Sequence, residues 1–542
     1  MHPLLVLCGL LFSLHTPSCS AATDTLPRGH ALAADERLVS NNGKFTLGFF
    51  QPGSKSSNNT LNTYLGIWFH KVPKLTPVWS ANGDNPVPSL ALPELIISRD
   101  GNLVVLAQGT IMWSTQANIT ANDTIVVLLG SENLVLRSSS NSSDIFWQSF
   151  DYPTDTLLAG AKFGRNKVTG LNRRMVSRKN LIDQAPGVYC EELAVDAIDL
   201  LWKSSVVYWS SGEWNGRFFI SIPEMSAQSG SRCNYTFVNN DQEVYFSYNL
   251  LNENMIFHNF LDVSGQIQTR VWSDLAVDWI TARTQPNDPC DVYATCGPFT
   301  ICTDNGKSFC NCMKGFSIRS SEDWELEDRT GGCIRNNPLN CSGDDKNKTG
   351  VTDKFYSMPS IRLPQNAKGI QNASSANECA RVCLNSCSCT AYSYGIGGCS
   401  IWHGELLNVV ADDNGEPLHL RLAAKEVQSW KSNKRVIITG VAIGASIAAM
   451  GFLILIVIWR RIREWSSHAM DNDQSGIGII AFKYVDMKRA TKNFSEKLGG
   501  GGFGSVFKGC LSNSVAIAVK RLECAHQGEK QFRAEVNSIG II

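Results

Sequence analysis

Residues 436–459 run for 24 positions without a formal charge and contain Gly451-Phe-Leu-Ile-Leu-Ile-Val-Ile458. At 1.5 Å per helical residue this stretch exceeds the roughly 30 Å hydrocarbon core of a bilayer. It therefore divides the 542-residue chain between two compartments. Gly440 and Gly444 make a GxxxG pair, but in so apolar a stretch a plain span is the favoured reading. Basic residues flank both ends, Lys431, Lys434 and Arg435 before it and Arg460, Arg461 and Arg463 after, so counting positive charge does not orient it. The first 22 residues do. An apolar run over residues 4–14 leads to small Ser18, Ser20, Ala21 and Ala22, the pattern of a cleaved secretory signal, although its start lacks Lys and Arg. Residues 23–435 are thus predicted outside and 460–542 in the cytosol, a single-pass type I layout in the plasma membrane.

Charge and cysteine placement agree with that layout. Lys+Arg and Asp+Glu balance at 49 each, which removes any global case for nucleic acid, and 18% charged with 43% hydrophobic residues argues against large-scale disorder. Residues 460–542 hold 13 Lys/Arg against 8 Asp/Glu, a net of +5 that the rest of the chain offsets. Fourteen of the 18 cysteines lie between Cys190 and Cys399, an even number suited to an oxidising compartment. Eight Asn-x-Ser/Thr sequons precede the uncharged stretch, at Asn58, Asn118, Asn122, Asn141, Asn234, Asn340, Asn347 and Asn372. A ninth, at Asn493, falls on the predicted cytosolic side.

Residues 24–155 show short alternating apolar runs broken by Asn, Gly, Asp and Pro, which reads as all-β. Val78-Trp79-Ser80-Ala81, Met112-Trp113-Ser114-Thr115 and Phe146-Trp147-Gln148-Ser149 repeat with tryptophans 34 and 34 residues apart. Three strand-rich units around a shared aromatic core predict a pseudo-threefold assembly; the turn residues oppose a helical repeat.

Phe45-Thr-Leu-Gly-Phe-Phe50, Tyr64-Leu-Gly-Ile-Trp-Phe69, Val78-Trp-Ser-Ala-Asn82 and Trp147-Gln-Ser-Phe-Asp-Tyr-Pro-Thr-Asp-Thr-Leu157 resemble the bulb-type, mannose-binding-like lectin domain of plant S-domain receptor-like kinases. The resemblance implies a sugar pocket of pattern Q-x-D-x-N-x-V-x-Y. Aligned to it stand Ser98, Asp100, Asn102, Val104 and Leu106, a degenerate site that keeps Asp100, Asn102 and Val104. A second echo, Leu129, Ser131, Asn133, Val135 and Arg137, keeps only Asn and Val. Each lost donor leaves a hydroxyl unpaired at roughly 1–3 kcal/mol, so a structural prism is preferred over mannose binding.

Tyr208-Trp-Ser-Ser-Gly-Glu-Trp-Asn-Gly216 and Ile222-Pro-Glu-Met225 resemble the S-locus glycoprotein region, where Cys190 and Cys233 are expected to pair. The six cysteines from Cys290 to Cys333 permit 15 pairings. Cys310-x-Cys312 followed by Gly315-Phe316 resembles an EGF-like module, which implies 290–302, 296–310 and 312–333. A zinc site is the rival, but no His lies nearby, and no metal is assigned. Cys341, Cys379, Cys383, Cys387, Cys389 and Cys399 form a second disulfide group, with Cys379 and Cys383 four apart on one helical face. This part resembles a PAN/apple-like domain, implying either homo- or hetero-association and ligand contact or a disulfide-held spacer.

Beyond the uncharged stretch, Phe482-Lys-Tyr-Val-Asp-Met-Lys-Arg-Ala-Thr-Lys-Asn-Phe494 is similar to the juxtamembrane lead-in of plant receptor-like kinases. Its positive charge suits either an anionic inner leaflet or a solvated linker. Then come Gly499-x-Gly501-x-x-Gly504-x-Val506, Val515-Ala-Ile-Ala-Val-Lys520 and, fifteen residues on, Glu535 in an amphipathic pattern. By resemblance to protein kinases, Gly499, Gly501, Gly504, Val506, Ala518, Lys520 and Glu535 are a vestigial ATP-binding set, the lysine pairing phosphate oxygens and the glutamate holding the lysine. No H-R-D, D-F-G or A-P-E motif follows before Ile542. The chain is accordingly expected to be truncated within the kinase N-lobe and inactive. The family uses ATP and Mg, neither of which is expected to bind well here.

The expected fold class is multidomain. It comprises an all-β bulb-lectin-like β-prism (23–155), an S-locus-like β region (156–285), disulfide-rich EGF-like (286–334) and PAN/apple-like (341–423) modules, one transmembrane helix (436–459), a juxtamembrane segment (460–493) and a partial α+β protein-kinase N-lobe (494–542). The resemblance implies a receptor-like serine/threonine kinase sensing an unknown protein or carbohydrate outside the cell, with recognition of pollen in some members. The alternative is a kinase-less lectin-like receptor or decoy.

Overall fold

The computed structural model describes residues 23–53, 61–119, 123–226, 232–303, 309–340, 353–427, 449–461, 482–501, 504–511 and 515–522. The chain divides into two compact units, Met1–Lys434 and Arg435–Ile542.

Three antiparallel sheets open the first unit, two of four strands and one of five, in which Val87–Pro88 also pairs with Asn62–Phe69. One joins Arg37–Val39, Phe45–Phe50, Asn62–Phe69 and Pro77–Ser80; a second joins Ala31–Ala33, Pro93–Ile97, Leu103–Ala107 and Thr110–Ser114; the third joins Thr25–Pro27, Thr124–Leu128, Leu134–Ser138 and Ile145–Gln148. The first three strands of the chain thus go one to each sheet, and the N-terminus closes a prism. Inward Leu47, Leu65, Ile67, Leu95, Leu103, Val105, Leu128, Leu134 and Leu136 are fully buried, as period-two alternation requires. Glycine is needed at Gly66, where a Cβ would fall 2.5 Å from the Phe50 ring and 2.8 Å from the Trp79 carbonyl. The three repeated tryptophans end one strand of each sheet and meet on the prism axis. Their ring centroids lie 6.1, 6.0 and 5.7 Å apart, all edge to face.

A second prism with the same plan follows, for which the sequence announced strands but no repeat. Its sheets are Met175–Arg178, Pro186–Leu193, Ile198–Trp202 and Val206–Ser210; Asn172–Arg173, Phe163–Asn166, Glu243–Leu250 and Cys233–Asn239; and Thr156–Leu157, Phe257–Leu261, Ile267–Ser273 and Asp278–Gln285. Again Thr156–Leu157, Phe163–Asn166 and Met175–Arg178 go one to each sheet. Trp279 joins the prisms: its ring packs on Phe69 at 5.5 Å and stacks on His258 at 4.6 Å, while its Nε1 donates to Thr76 Oγ1 at 3.2 Å. Burial among these rings pushes His258 down to about 3.

The remainder of this unit holds an eight-stranded sheet and a separate two-stranded one, Phe316–Ile318 with Cys333–Arg335. The hairpin of Thr300–Cys302 and Cys310–Cys312 joins the sheet built on Lys354–Arg362, Cys389–Gly395, Gly398–His403 and Glu416–Leu422 through the parallel pair Cys302 and Val410. Helix Ala376–Asn385 covers that sheet. Ser375 caps it by accepting from the Glu378 amide at 3.3 Å, and the Glu378 carboxylate accepts in turn from the Ser374 amide at 2.7 Å.

In the second unit residues 449–461 are helical with Phe452, Leu453, Ile454, Leu455 and Val457 exposed. Residues 436–448 of the expected span lie outside the described residues, and among the described residues no helix is long and apolar enough to cross a membrane. Helix Tyr484–Ala490 packs beside a three-stranded antiparallel sheet of Lys497–Gly501, Gly504–Cys510 and Ala516–Arg521. Phe494 fastens the lead-in to that sheet, edge-on to Phe507 at 5.4 Å and under the Arg521 guanidinium at 5.3 Å.

Candidate functional site

The degenerate sugar pocket is occupied by its own hydrogen bonds. Asn102 Oδ1 accepts from Thr115 Oγ1 at 2.8 Å and from the Ala117 amide at 2.7 Å, while its Nδ2 donates to Asp100 Oδ2 at 2.9 Å and to the Ala117 carbonyl at 3.3 Å. Ser98 donates its hydroxyl to Asp100, and bonds from Ser98 and Asn102 hold that carboxyl below its usual range. Val104 is buried in the strand. Asn102 therefore ties the turn before one strand to the segment after Trp113. Asn133 does the same in the next repeat, donating to Gln148 Oε1 at 2.9 Å and accepting from the Phe150 amide at 3.2 Å. In the first repeat Asn82 reaches back from beyond Trp79 to accept from the Leu65 amide at 2.8 Å. These asparagines lock the threefold plan, and their amides are committed to protein partners.

In the second unit the strand register sets Val506 opposite Lys520 and Gly499 opposite Val506, so the glycine hairpin borders the lysine strand. Gly501 pairs with Gly504, and Gly504 takes a φ of +140° that favours glycine. Ala518 and Lys520 are exposed on the same strand. Glu535 lies outside the described residues.

Disulfides join Cys290 to Cys302, Cys296 to Cys310, Cys312 to Cys333, Cys379 to Cys399 and Cys383 to Cys389. Two expectations need correction. Cys387, assigned to the disulfide group, is an exposed thiol in the loop that the Cys383–Cys389 bridge closes; Cys341, the other cysteine of that group, lies outside the described residues. Cys190 and Cys233 do not bridge to each other; they lie in different sheets, Cys190 with its sulfur 3.6 Å from Ser204 Oγ. Burial pushes the Cys190 thiol up and the Cys233 thiol to about 11. Asn118, Asn141, Asn234, Asn340 and Asn372 are all exposed, whereas Asn58, Asn122 and Asn347 lie outside the described residues.

Three family descriptions match the chain in order: D-mannose binding lectin over residues 76–179, S-locus glycoprotein domain over 209–320 and PAN-like domain over 341–409. A G-type lectin S-receptor-like serine/threonine-protein kinase of Arabidopsis thaliana is 39% identical over 544 residues, which cover 96% of this chain and 63% of that protein. The receptor-like serine/threonine-protein kinase SD1-8 of the same plant is 33% identical over 572 residues, covering 96% of this chain and 65% of its own length. The chain thus spans somewhat less than two thirds of these relatives. A monomeric mannose-binding lectin from Gastrodia elata aligns over 23% of this chain and 96% of its own at 23% identity, with a TM-score of 0.18. In the order of matched domains and along nearly its whole length, the chain is similar to G-type lectin S-receptor-like kinases.

Proposed function

We propose that the chain is a single-pass type I plasma-membrane receptor whose residues 23–435 sense an extracellular ligand, in a protein that signals by ATP-dependent serine/threonine phosphorylation. The observation that carries this reading is sidedness. The five disulfides among the described residues and the exposed sequons at Asn118, Asn141, Asn234, Asn340 and Asn372 fall in the unit that ends at Lys434, a helix with exposed apolar side chains follows it, and one exposed sequon, Asn493, lies in the second unit. A lectin-type domain suggests carbohydrate as a ligand class. The commitments of Asn102 and Asp100 speak against the mannose mode of the family pocket. The glycine hairpin beside Lys520 supports a nucleotide-facing role for the cytosolic part, with Lys520 pairing phosphate oxygens once ATP and Mg are held by a complete kinase.

Expression of the tagged chain in plant cells tests the layout. Peptide N-glycosidase should lower the apparent mass by several glycans, and Asn118→Gln should remove one of them. A chain that reaches the membrane fraction without any glycan contradicts the reading.

A further inference from the structure

The axial tryptophans do more than fill the prism. At the end of the axis they floor an open cleft of about 570 Å³, which Tyr152 and Gln184 border as well. Tyr152 lies parallel to the Trp147 ring, 5.7 Å away and 8° off plane, and keeps 50% of its surface exposed. The Trp79 indole N–H is committed to the Tyr152 carbonyl at 2.9 Å. The indole N–H groups of Trp113 and Trp147, both lining the cleft, have no hydrogen-bond partner among the described residues. Gln184 is 6% exposed, reaches the cleft from the second prism, and its Nε2 has no hydrogen-bond partner among the described residues. It can approach because Gly83, also at the cleft, has no Cβ to meet the Gln184 carbonyl. The Ser80 hydroxyl, the Asp84 carboxylate and the Gln116 amide complete the rim.

We infer that this cleft binds a pyranose residue of an extracellular glycan, stacking the sugar's C–H face on the aromatic floor and pairing its hydroxyls with the indole, amide and carboxylate groups of the rim. A sugar ring matches both halves of the site. Its C–H face is apolar enough to cover flat aromatic surface, and each of its hydroxyls donates and accepts at once. The rim offers donors from the indoles and amides, acceptors from Asp84 and Ser80, and a buried amide whose unmade bond a ligand hydroxyl would complete. The cleft shares no residue with the degenerate pocket of Asp100, Asn102 and Val104. This inference rests on the reading that the prism faces the cell exterior.

The test uses the full chain in a sugar-free zwitterionic detergent after enzymatic release of its own N-glycans. Methyl α-mannoside, methyl β-glucoside, methyl β-galactoside and N-acetylglucosamine are titrated one at a time, with tryptophan fluorescence and saturation-transfer NMR as readouts. At least one sugar is expected to saturate in the millimolar range. Tyr152→Ala and Gln116→Ala should each weaken it about tenfold or more, and Asp100→Ala should leave it unchanged. Tyr152 and Gln116 are exposed enough for both variants to fold, which near-ultraviolet circular dichroism checks. Saturation by none of the four overturns the inference, as does binding abolished by Asp100→Ala but kept by Tyr152→Ala. Because glycan release is scored on the same sample, a glycosylated chain without sugar binding sinks the cleft alone, and an unglycosylated one sinks the receptor reading.

Discussion

Arg421 is the bulkiest of the fully buried side chains. Its Nε meets Asp353 at 2.9 Å with both side chains at 2% exposure or less, and its Nη1 donates to the carbonyls of Ser386 at 2.7 Å and Cys383 at 3.1 Å. The second set of bonds ties Arg421 to the end of helix Ala376–Asn385, where the same two carbonyls also accept from the Ser386 and Cys389 amides at 3.2 and 3.1 Å. A charge this deep is tolerable only while each donor has an acceptor. Arg421→Ala would leave Asp353 uncompensated and is expected to cost about 3–5 kcal/mol in urea unfolding. Arg421→Met combined with Asp353→Leu should recover most of that loss; a single variant as stable as the parent would refute the account of the pair. Nothing in the sequence marks this interaction. The partners are 68 residues apart, and each alone looks like an ordinary surface charge.

At the scale of elements, the strand Pro186–Leu193 turns Glu191 inward against Leu200 and Met175, into a cavity of about 280 Å³ in the second prism. Its Oε2 has no hydrogen-bond partner among the described residues, and burial pushes the carboxyl up to about 8, with Arg283 offsetting only part of the effect. The unfolded chain gives up this proton near 4.5, so between that value and about 8 the folded state binds more protons. Stability is therefore lost as pH rises through this window, by up to about 1.4 kcal/mol per unit. Glu191→Gln should flatten the decline, and melting temperatures of both proteins at pH 5 and pH 8 would show it. An equal change in the two would remove Glu191 as the cause. The first prism was legible because its axis repeats one residue type at a fixed spacing. The second fills its interior with Trp214, Phe219, Phe237 and Phe246, whose mutual packing at 5.1 to 6.3 Å needs no periodic motif. Its first strand, Thr156–Leu157, is also too short to show alternation. The joining of the two cysteine-rich modules into one sheet was hidden for a similar reason, since it depends on a single pair, Cys302 with Val410.

Across the whole molecule the chemistry divides at one stretch of chain. The disulfides of the described residues, five exposed sequons and the tryptophan cleft lie before it, and the glycine hairpin with Lys520 and the single sequon Asn493 lie after. The degenerate pocket could be read from sequence because it depends on a local pattern. The cleft could not, because Gln184 arrives from a different prism about a hundred positions beyond Gly83. The sidedness of the two units is what the receptor reading stands on, and Cys510 offers a direct probe of it. This thiol is exposed at the end of strand Gly504–Cys510 in the second unit. A membrane-impermeant maleimide applied to intact cells, with peptide mapping of the modified site, is predicted to leave Cys510 unlabelled until the plasma membrane is permeabilised. Labelling of Cys510 in unpermeabilised cells would place the glycine hairpin outside and contradict the account.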